Sequence, residues 1–98
     1  MNLVNIIGQI VGDANIVYES ENGDKKLYKF IIRVPKKYKN KQEFDLINIK
    51  AWSTVIEDEF SLHDQAVIGI EGKIHSYKKD DYQTYKNEIY ANKILYLS

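Results

Sequence analysis

The stretch that decides the fold is Asp-Leu-Ile-Asn-Ile-Lys-Ala-Trp, at residues 45–52. Successive side chains of a β-strand point to opposite faces, so this stretch divides into two rows. One row is apolar and predicts a core face: Ile47, Ile49 and Ala51. The other row mixes aliphatic, amide, amine and aromatic groups: Leu46, Asn48, Lys50 and Trp52. Such a mixture suits neither a dry core nor a purely solvated surface.

The mixed row has two interpretations. Flat aromatic surface beside amine and amide groups is how proteins hold single-stranded nucleic acid with little sequence preference. Alternatively, Trp52 is a half-exposed core residue that a neighbouring loop covers. This strand alone does not decide between them.

Length and composition narrow the class of protein. The 98 residues predict one domain, 1–98, and the absence of cysteine excludes disulfides and thiolate metal sites. No apolar run approaches the roughly 20 residues that span a bilayer, and residues 1–12 lack the pattern of a signal peptide. We therefore expect a cytoplasmic protein with no membrane partner.

Charge is balanced in sum but uneven in distribution. Fourteen basic and fourteen acidic residues give a net charge of zero, which argues against a strong non-specific polyanion binder. Basic residues concentrate in two regions: Lys36, Lys37, Lys39 and Lys41, then Lys78, Lys79 and Lys86. Acids concentrate in two others: Asp13, Glu19, Glu21 and Asp24, then Glu57, Asp58, Glu59 and Asp64. This predicts either a basic groove with an acidic back or scattered solvation.

The first half of the chain indicates two further strands. Residues 2–12 are almost uninterrupted apolar sequence, typical of a strand buried on both sides or lying in a subunit interface. A short β-like piece at residues 16–18 precedes Asn22-Gly23, a strong hairpin-turn signal. Residues 27–35 then alternate an apolar row with an outward row, and Pro35 closes that ladder. The outward row is Lys29, Ile31 and Arg33.

The second half predicts two more strands and one helix. Residues 36–43 read as a polar, lysine-rich loop, and residues 54–62 as a helix of about two turns. Strands follow at 66–75 and 88–97, joined by a tyrosine-rich polar segment with its turn at Asp80-Asp81. Five strands with a short helix between the third and fourth predict an all-β OB-fold, a five-stranded Greek-key barrel. A small β-sandwich or another five-stranded barrel would show the same alternation.

In this order the segments resemble the bacterial-type single-stranded DNA-binding protein family over nearly the whole chain. The similarity is carried by Met-Asn-Leu-Val-Asn-Ile-Ile-Gly-Gln-Ile at the start, residues 13–18 with Asn22-Gly23, and residues 45–52. It continues in Ile-Glu-Gly-Lys-Ile at 70–74, Asn-Glu-Ile at 87–89 and Ile-Leu-Tyr-Leu at 94–97. With Ser98 as the last residue, the chain resembles tail-less members such as primosomal replication protein B and the short binders of phages or mobile elements, unless the sequence is an excised domain.

The resemblance implies specific functional positions. Its base-stacking aromatics would fall at Tyr38, Leu46 and Trp52 and near residues 77–79. Leu46 stands where the family usually has Phe or Trp, and Gln9 and Val17 replace two common arginines. The resemblance also implies a homo-oligomer, usually a tetramer but alternatively a dimer, joined through residues 3–11. Replication or recombination proteins would be further partners.

No motif in the chain predicts catalysis, a cofactor or a metal. His63 and His75 have no carboxylate or thiolate at ligand spacing, and neither a phosphate loop nor a nucleophile elbow is present. We therefore expect a non-catalytic protein that coats single-stranded DNA in replication, recombination or repair. The expected contact residues are Arg33, Lys36, Lys37, Tyr38, Lys39, Leu46, Asn48, Lys50, Trp52, Lys73, Tyr77, Lys78, Lys79 and Tyr82.

Two alternatives remain at this point. A primosome-type adaptor would have weak DNA affinity and act mainly through protein contacts, which the zero net charge and the missing stacking positions favour. An OB-fold protein that has lost nucleic-acid binding and only assembles is the other.

Overall fold

The computed structural model describes residues 1–39, 41–79 and 83–98. Its five strands are β1 (Val4–Glu19), β2 (Lys26–Tyr38), β3 (Lys41–Trp52), β4 (Val67–Lys78) and β5 (Tyr85–Tyr96). They form a closed barrel in the order β1-β2-β3-β5-β4, which the pairing of β4 with β1 completes. β3 and β5 run parallel, and the other neighbours are antiparallel. This is the five-stranded barrel that the alternation predicts.

The core is apolar and comes from the inward rows of all five strands, together with Leu62 and Ala66 of the segment between β3 and β4. Phe30, Ile32, Ile49 and Ala51 are at most 2% exposed, so the predicted inward rows of β2 and β3 are confirmed. The remaining members of the buried core cluster are Ile10, Leu62, Ala66, Ile68, Ile70, Ile89, Ala91 and Ile94. Burial of these side chains orients β3 so that its mixed row faces outward.

Three register shifts interrupt the described ladders of the barrel, and one of them lies between Ile16 and Tyr18 of β1. β1 shifts register between Val11 and Asn15, where Gly12 has a φ of +80°. β5 has one extra residue, Asn92, because Glu71 pairs with Lys93 while Gly72 pairs with Ala91. The bulge in β5 resets the side-chain phase, since a single extra residue exchanges the two faces of a strand.

The loop predicted over residues 36–43 is shorter than expected. β2 continues past Pro35, and Lys36, Lys37 and Tyr38 pair with Glu43, Gln42 and Lys41 of β3, so most of residues 36–43 is strand. Proline is tolerated there because β3 is the one neighbour in the described pairing of this part of β2. We call this hairpin extension, residues 34–45, the basic arm.

The helix predicted over residues 54–62 is wrong in extent. The described residues contain one 3-10 turn, Glu59–Ser61, with Asp58 at its N-cap. The backbone N–H groups of Glu57 and Asp58 donate to the hydroxyl of Tyr96, at 3.1 and 3.2 Å. Those two donors are therefore not available to the carbonyls of residues 53 and 54, which an α-helix would require.

The other hairpins are close to expectation. Gly23, with a φ of +77°, donates its N–H to the carbonyl of Ser20 at 2.9 Å, which confirms the predicted turn. β4 and β5 extend into the tyrosine-rich segment as far as Lys78 and Tyr85. The turn predicted at Asp80-Asp81 and the site residue Tyr82 lie outside the described residues. No helix in the described ranges is long and apolar enough to cross a membrane.

Candidate nucleic-acid interface

The mixed row of β3 lies on the outside of the barrel, as its alternation predicts. Leu46 is 66% exposed, and Asn48, Lys50 and Trp52 are half-buried. The row begins two residues earlier, at Phe44, which is 39% exposed. From Phe44 to Trp52 it is about 27 Å long at roughly 3.4 Å per residue. We call the outer rows of β2, β3, β5 and β4 together the outer face.

Trp52 is oriented by an aromatic neighbour. Its ring makes an edge-to-face contact with Tyr18 of β1, with 5.8 Å between ring centroids and 82° between planes. A groove of about 250 Å³, lined by Lys25, Ser53, Thr54 and Trp52 itself, lies beside it. The indole therefore packs against Tyr18 on one side and borders open space on another, an arrangement that allows a flat ligand to stack.

Arg33 and Phe44 form a second flat surface, at the other end of the row. Both Nε and Nη2 of Arg33 donate to the side-chain oxygen of Gln9, at 2.9 and 2.6 Å. This bidentate contact places the guanidinium carbon 4.6 Å from the centroid of the Phe44 ring, a cation–π geometry. A groove of about 320 Å³ borders the pair and is also lined by Ile7, Pro35 and Val67.

The centre of the outer face is an ion pair between aromatic rings. Nζ of Lys50 lies 2.9 Å from Oε1 of Glu88, whose carboxylate is buried. That hydrogen bond raises the pKa of Lys50 above its usual value. The same ammonium lies 5.6 Å from the ring centroid of Tyr77 and 6.0 Å from that of Tyr90. His75 packs against Tyr90 with 4.7 Å between ring centroids.

The lysines of the basic arm lie on different faces of the hairpin. Lys36 forms a 2.9 Å ion pair with Asp45, which raises the pKa of its ammonium. Its cross-strand partner is Glu43, so Lys36 lies on the face opposite the Phe44 row. Lys37 lies on the same side as that row, and Lys39 occupies the tip with a φ of +47°. A cavity of about 520 Å³ is lined by Pro35, Lys36, Lys37, Lys41 and Gln42.

The β4–β5 hairpin contributes the remaining described positions. Tyr77 is 41% exposed, and Lys73 pairs across the ladder with Tyr90. Lys78 pairs with Tyr85, and the N–H of Lys79 donates to the carbonyl of Thr84 at 3.1 Å. Lys73 and Tyr77 therefore lie in the outer face, where Tyr77 contacts Lys50 and Lys73 is separated from Lys50 by Tyr90.

The structure thus brings together on one face most of the residues that the sequence predicts as contacts. Those that share the outer face are Arg33, Lys37, Leu46, Asn48, Lys50, Trp52, Lys73 and Tyr77. Lys36 lies on the opposite side of the basic arm. Sequence reasoning missed Phe44 and Tyr90. Phe44 continues the period-two row of Leu46, which was the available signal, whereas the position of Tyr90 depends on the pairing of β5 with β3.

The turn that follows β3 is acidic. Glu57, Asp58 and Glu59 are consecutive and form one side of the turn that presents Phe60, which is 86% exposed. The hydroxyl of Tyr28 donates to Oε2 of Glu59 at 2.8 Å, and this hydrogen bond raises the pKa of the phenol. Phosphate groups would be repelled here, so the acidic turn provides control positions for tests of the outer face.

A closed five-stranded barrel in this strand order is an OB-fold. No family model matches the chain, and no curated protein matches it. Among solved structures it is similar to the dimeric N-terminal domain of the PriB protein from Thermoanaerobacter tencongensis. The two are 21% identical over 99% of this chain and 97% of that chain, with a TM-score of 0.70. At that identity the likeness shows the fold.

Proposed function

We propose that this chain is a non-catalytic OB-fold protein that binds and coats single-stranded DNA during replication, recombination or repair. The observation that carries the proposal is the outer face, where Trp52, Tyr77 and the Arg33–Phe44 pair lie along adjacent strands among lysines. Stacking of bases on aromatic rings contributes about 1–3 kcal/mol per base and tolerates any sequence. The length of the row suits the lower end of the roughly 4–16 nucleotides that one OB-fold contacts.

Tryptophan fluorescence tests this directly, because Trp52 is the single tryptophan. Titration with oligo-dT at low salt is expected to quench its emission. Anisotropy of a labelled oligonucleotide then compares Trp52→Ala with Phe60→Ala, which removes a more exposed ring from the acidic turn. We expect Trp52→Ala to weaken binding about 5- to 150-fold and Phe60→Ala to leave it unchanged. Folded protein that shows no quenching would refute the proposed platform.

We further propose that the chain is a homo-oligomer, joined through the outward side of β1. Leu3 and Ile7 are each 63% exposed and Val11 is 40% exposed, which leaves an apolar row at the surface. β2 pairs with β1 from Gln9 onward, so residues 4–8 of β1 have β4 as their neighbour in the described pairing. A second copy can therefore add to β1 at this place. The structurally similar PriB domain is described as dimeric. This supports a dimer as the first unit, and two such dimers would form a tetramer.

Light scattering after size exclusion measures the oligomer. We expect Ile7→Asp to yield monomers, whereas Leu46→Asp, which places the same charge at an equally exposed position of the outer face, should leave the mass unchanged. A wild-type protein that is monomeric at all concentrations would contradict the proposed interface.

A primosome-type adaptor is the second candidate, and one observation favours it. Lys36 and Lys50 are both neutralised by carboxylates, and the chain has no net charge, so two of the predicted contact lysines contribute little net charge toward phosphate. The dependence of affinity on salt separates the two functions. Each phosphate contact adds about 0.7 to the slope of log affinity against log salt for single strands. A slope that corresponds to several phosphate contacts supports the coating function. A shallow slope, with protein contacts retained, supports the adaptor.

A further inference from the structure

Glu88 is an unexpected residue at the centre of the outer face. Its cross-strand neighbour is His75, and its position in β5 alternates with the core residues Ile89 and Ala91. An outward position in a barrel strand ordinarily meets solvent, yet Glu88 is 4% exposed. A carboxylate that is buried on the proposed DNA-binding side would by itself repel phosphate, so its presence there needs an explanation.

The contacts of Glu88 indicate what it does. Oε1 accepts from Lys50 at 2.9 Å, and Oε2 is buried without a hydrogen-bond partner among the described residues. Burying a carboxylate is costly unless it is paired, so the pair with Lys50 is what makes this position tolerable. The ammonium of Lys50 is in turn directed toward the carboxylate and the rings of Tyr77 and Tyr90.

A lysine that is already paired differs from a free one in how it binds a polyanion. Counterion release requires a protein cation that neutralises a phosphate, and the charge of Lys50 is already neutralised by Glu88. Moving that ammonium to a phosphate would leave the buried carboxylate without its partner, which is strongly unfavourable. What remains accessible at this place is aromatic surface, and Tyr77 is 41% exposed.

We propose that Glu88 is a positioning residue that retains Lys50 in the protein and makes the centre of the outer face a subsite for a nucleobase rather than for a phosphate. The base stacks on Tyr77, whose ring Lys50 helps to hold. The phosphates of the same strand pass over the unpaired cations of neighbouring rows. This inference rests on the proposed DNA-binding function and specifies the part of the ligand that this place in the site contacts.

The competing possibility is that the pair opens when DNA binds and Lys50 contacts a phosphate. Three variants distinguish the two: Glu88→Gln, the double variant Lys50→Gln/Glu88→Gln, and Lys29→Gln. Lys29 is the matched control because it lies directly opposite Lys50 on β2 and has no ion pair among the described residues. Affinity for oligo-dT is measured from 50 to 200 mM salt, and again for an abasic oligonucleotide that has the phosphates without the bases.

The expected change in the salt slope differs between the three variants. Glu88→Gln frees Lys50 to contact a phosphate, so the salt slope should become steeper by about 0.7, and affinity at 50 mM salt should rise for both oligonucleotides. The double variant should retain the wild-type slope, because neither group contributes a net cation. Lys29→Gln should make the slope shallower by about 0.7, a difference of about threefold in affinity across this salt range.

Two outcomes would overturn the inference. One is a double variant with a slope about 0.7 shallower than the wild type, because Lys50 would then contact a phosphate in the native complex. The other is a folded Glu88→Gln protein with no steeper slope. If circular dichroism shows that Glu88→Gln does not fold, the double variant alone decides, since it leaves no unpaired buried charge. A wild-type protein that binds neither oligonucleotide refutes the proposed function itself, which separates that failure from failure of the inference.

Discussion

Substitution of Gly72 by alanine is expected to destabilise the barrel at the β4–β5 bulge. A Cβ atom at Gly72 would lie 2.3 Å from the carbonyl oxygen of Tyr90, 3.0 Å from its carbonyl carbon and 3.2 Å from Cα of Ala91. All three are backbone atoms of β5, so no side-chain rotation relieves the contact. β5 must move by about 1 Å to restore an ordinary carbon–oxygen separation, and such overpacking costs about 1–3 kcal/mol.

Gly69→Ala is the matched control on the same strand. A Cβ atom there would lie 3.4 Å from the nearest atom, Cβ of Leu95, which is ordinary contact with a side chain that is 43% exposed. Neither Gly69 nor Gly72 has a positive φ, so the two substitutions differ in available space rather than in backbone conformation. Replacing glycine where the backbone permits alanine stabilises by about 0.4–1 kcal/mol.

Thermal unfolding followed by circular dichroism measures the difference. A change of 1 kcal/mol shifts the Tm of a domain this size by about 4–8 °C. We expect Gly72→Ala to lower the Tm by roughly 4–24 °C and Gly69→Ala to leave it equal or slightly higher. Equal melting temperatures for the two variants would refute the argument that backbone contact with β5 requires glycine at position 72.

Three further predictions follow from hydrogen bonds and exposed rings. The raised pKa values of Tyr28 and Lys50 mean that the fold favours their protonated forms. Their contribution to stability is therefore present below about pH 10 and is lost as the pH rises above it. In urea unfolding between pH 7 and 11, Tyr28→Phe should lose less stability at alkaline pH than the wild type does. Phe44→Ala should weaken oligo-dT binding about 5- to 150-fold in anisotropy titrations, and unchanged affinity would exclude Phe44 as a platform. Tyr96→Phe should lower the Tm, because it removes the acceptor of two backbone N–H groups at about 0.5–1.5 kcal/mol each, whereas Tyr85→Phe, which is 68% exposed, should not.

The geometry of the outer face bears on the proposed DNA binding by a chain without a net positive charge. Arg33 and Lys50 both lie against aromatic rings, and each is held by an oxygen acceptor, Gln9 or Glu88. Their cationic groups therefore orient rings as well as carry charge. Base stacking on these rings would add to the affinity that counterion release supplies.

The sequence determined the parts of this protein that depend on neighbouring residues. The period of two in residues 45–52 placed Ile49 and Ala51 in the core and Trp52 outside, because strand geometry leaves no other arrangement once one row is buried. Asn22-Gly23 likewise produced its turn, since glycine tolerates the positive φ that is required there. Both predictions rest on interactions within a few residues of the chain.

The same local reasoning was wrong for residues 54–62. Their composition favours a helix, but Tyr96, almost 40 residues later, accepts the N–H groups of Glu57 and Asp58 and limits the segment to one 3-10 turn. Local propensity is a weak preference that a tertiary contact of this kind overrides. The basic arm was misjudged for a related reason, because its polar composition suggests a loop while cross-strand pairing continues the ladder.

The centre of the candidate site was decided by tertiary structure. Lys50 and Glu88 are 38 positions apart, and no spacing in the sequence indicates that they form an ion pair. They meet because β5 lies parallel to β3, with Lys50 opposite Tyr90, where the barrel closes. Sequence periodicity therefore determined which residues face outward, whereas the order of strands around the barrel decided which of those residues touch, because contacts between distant strands depend on closure and not on local pattern.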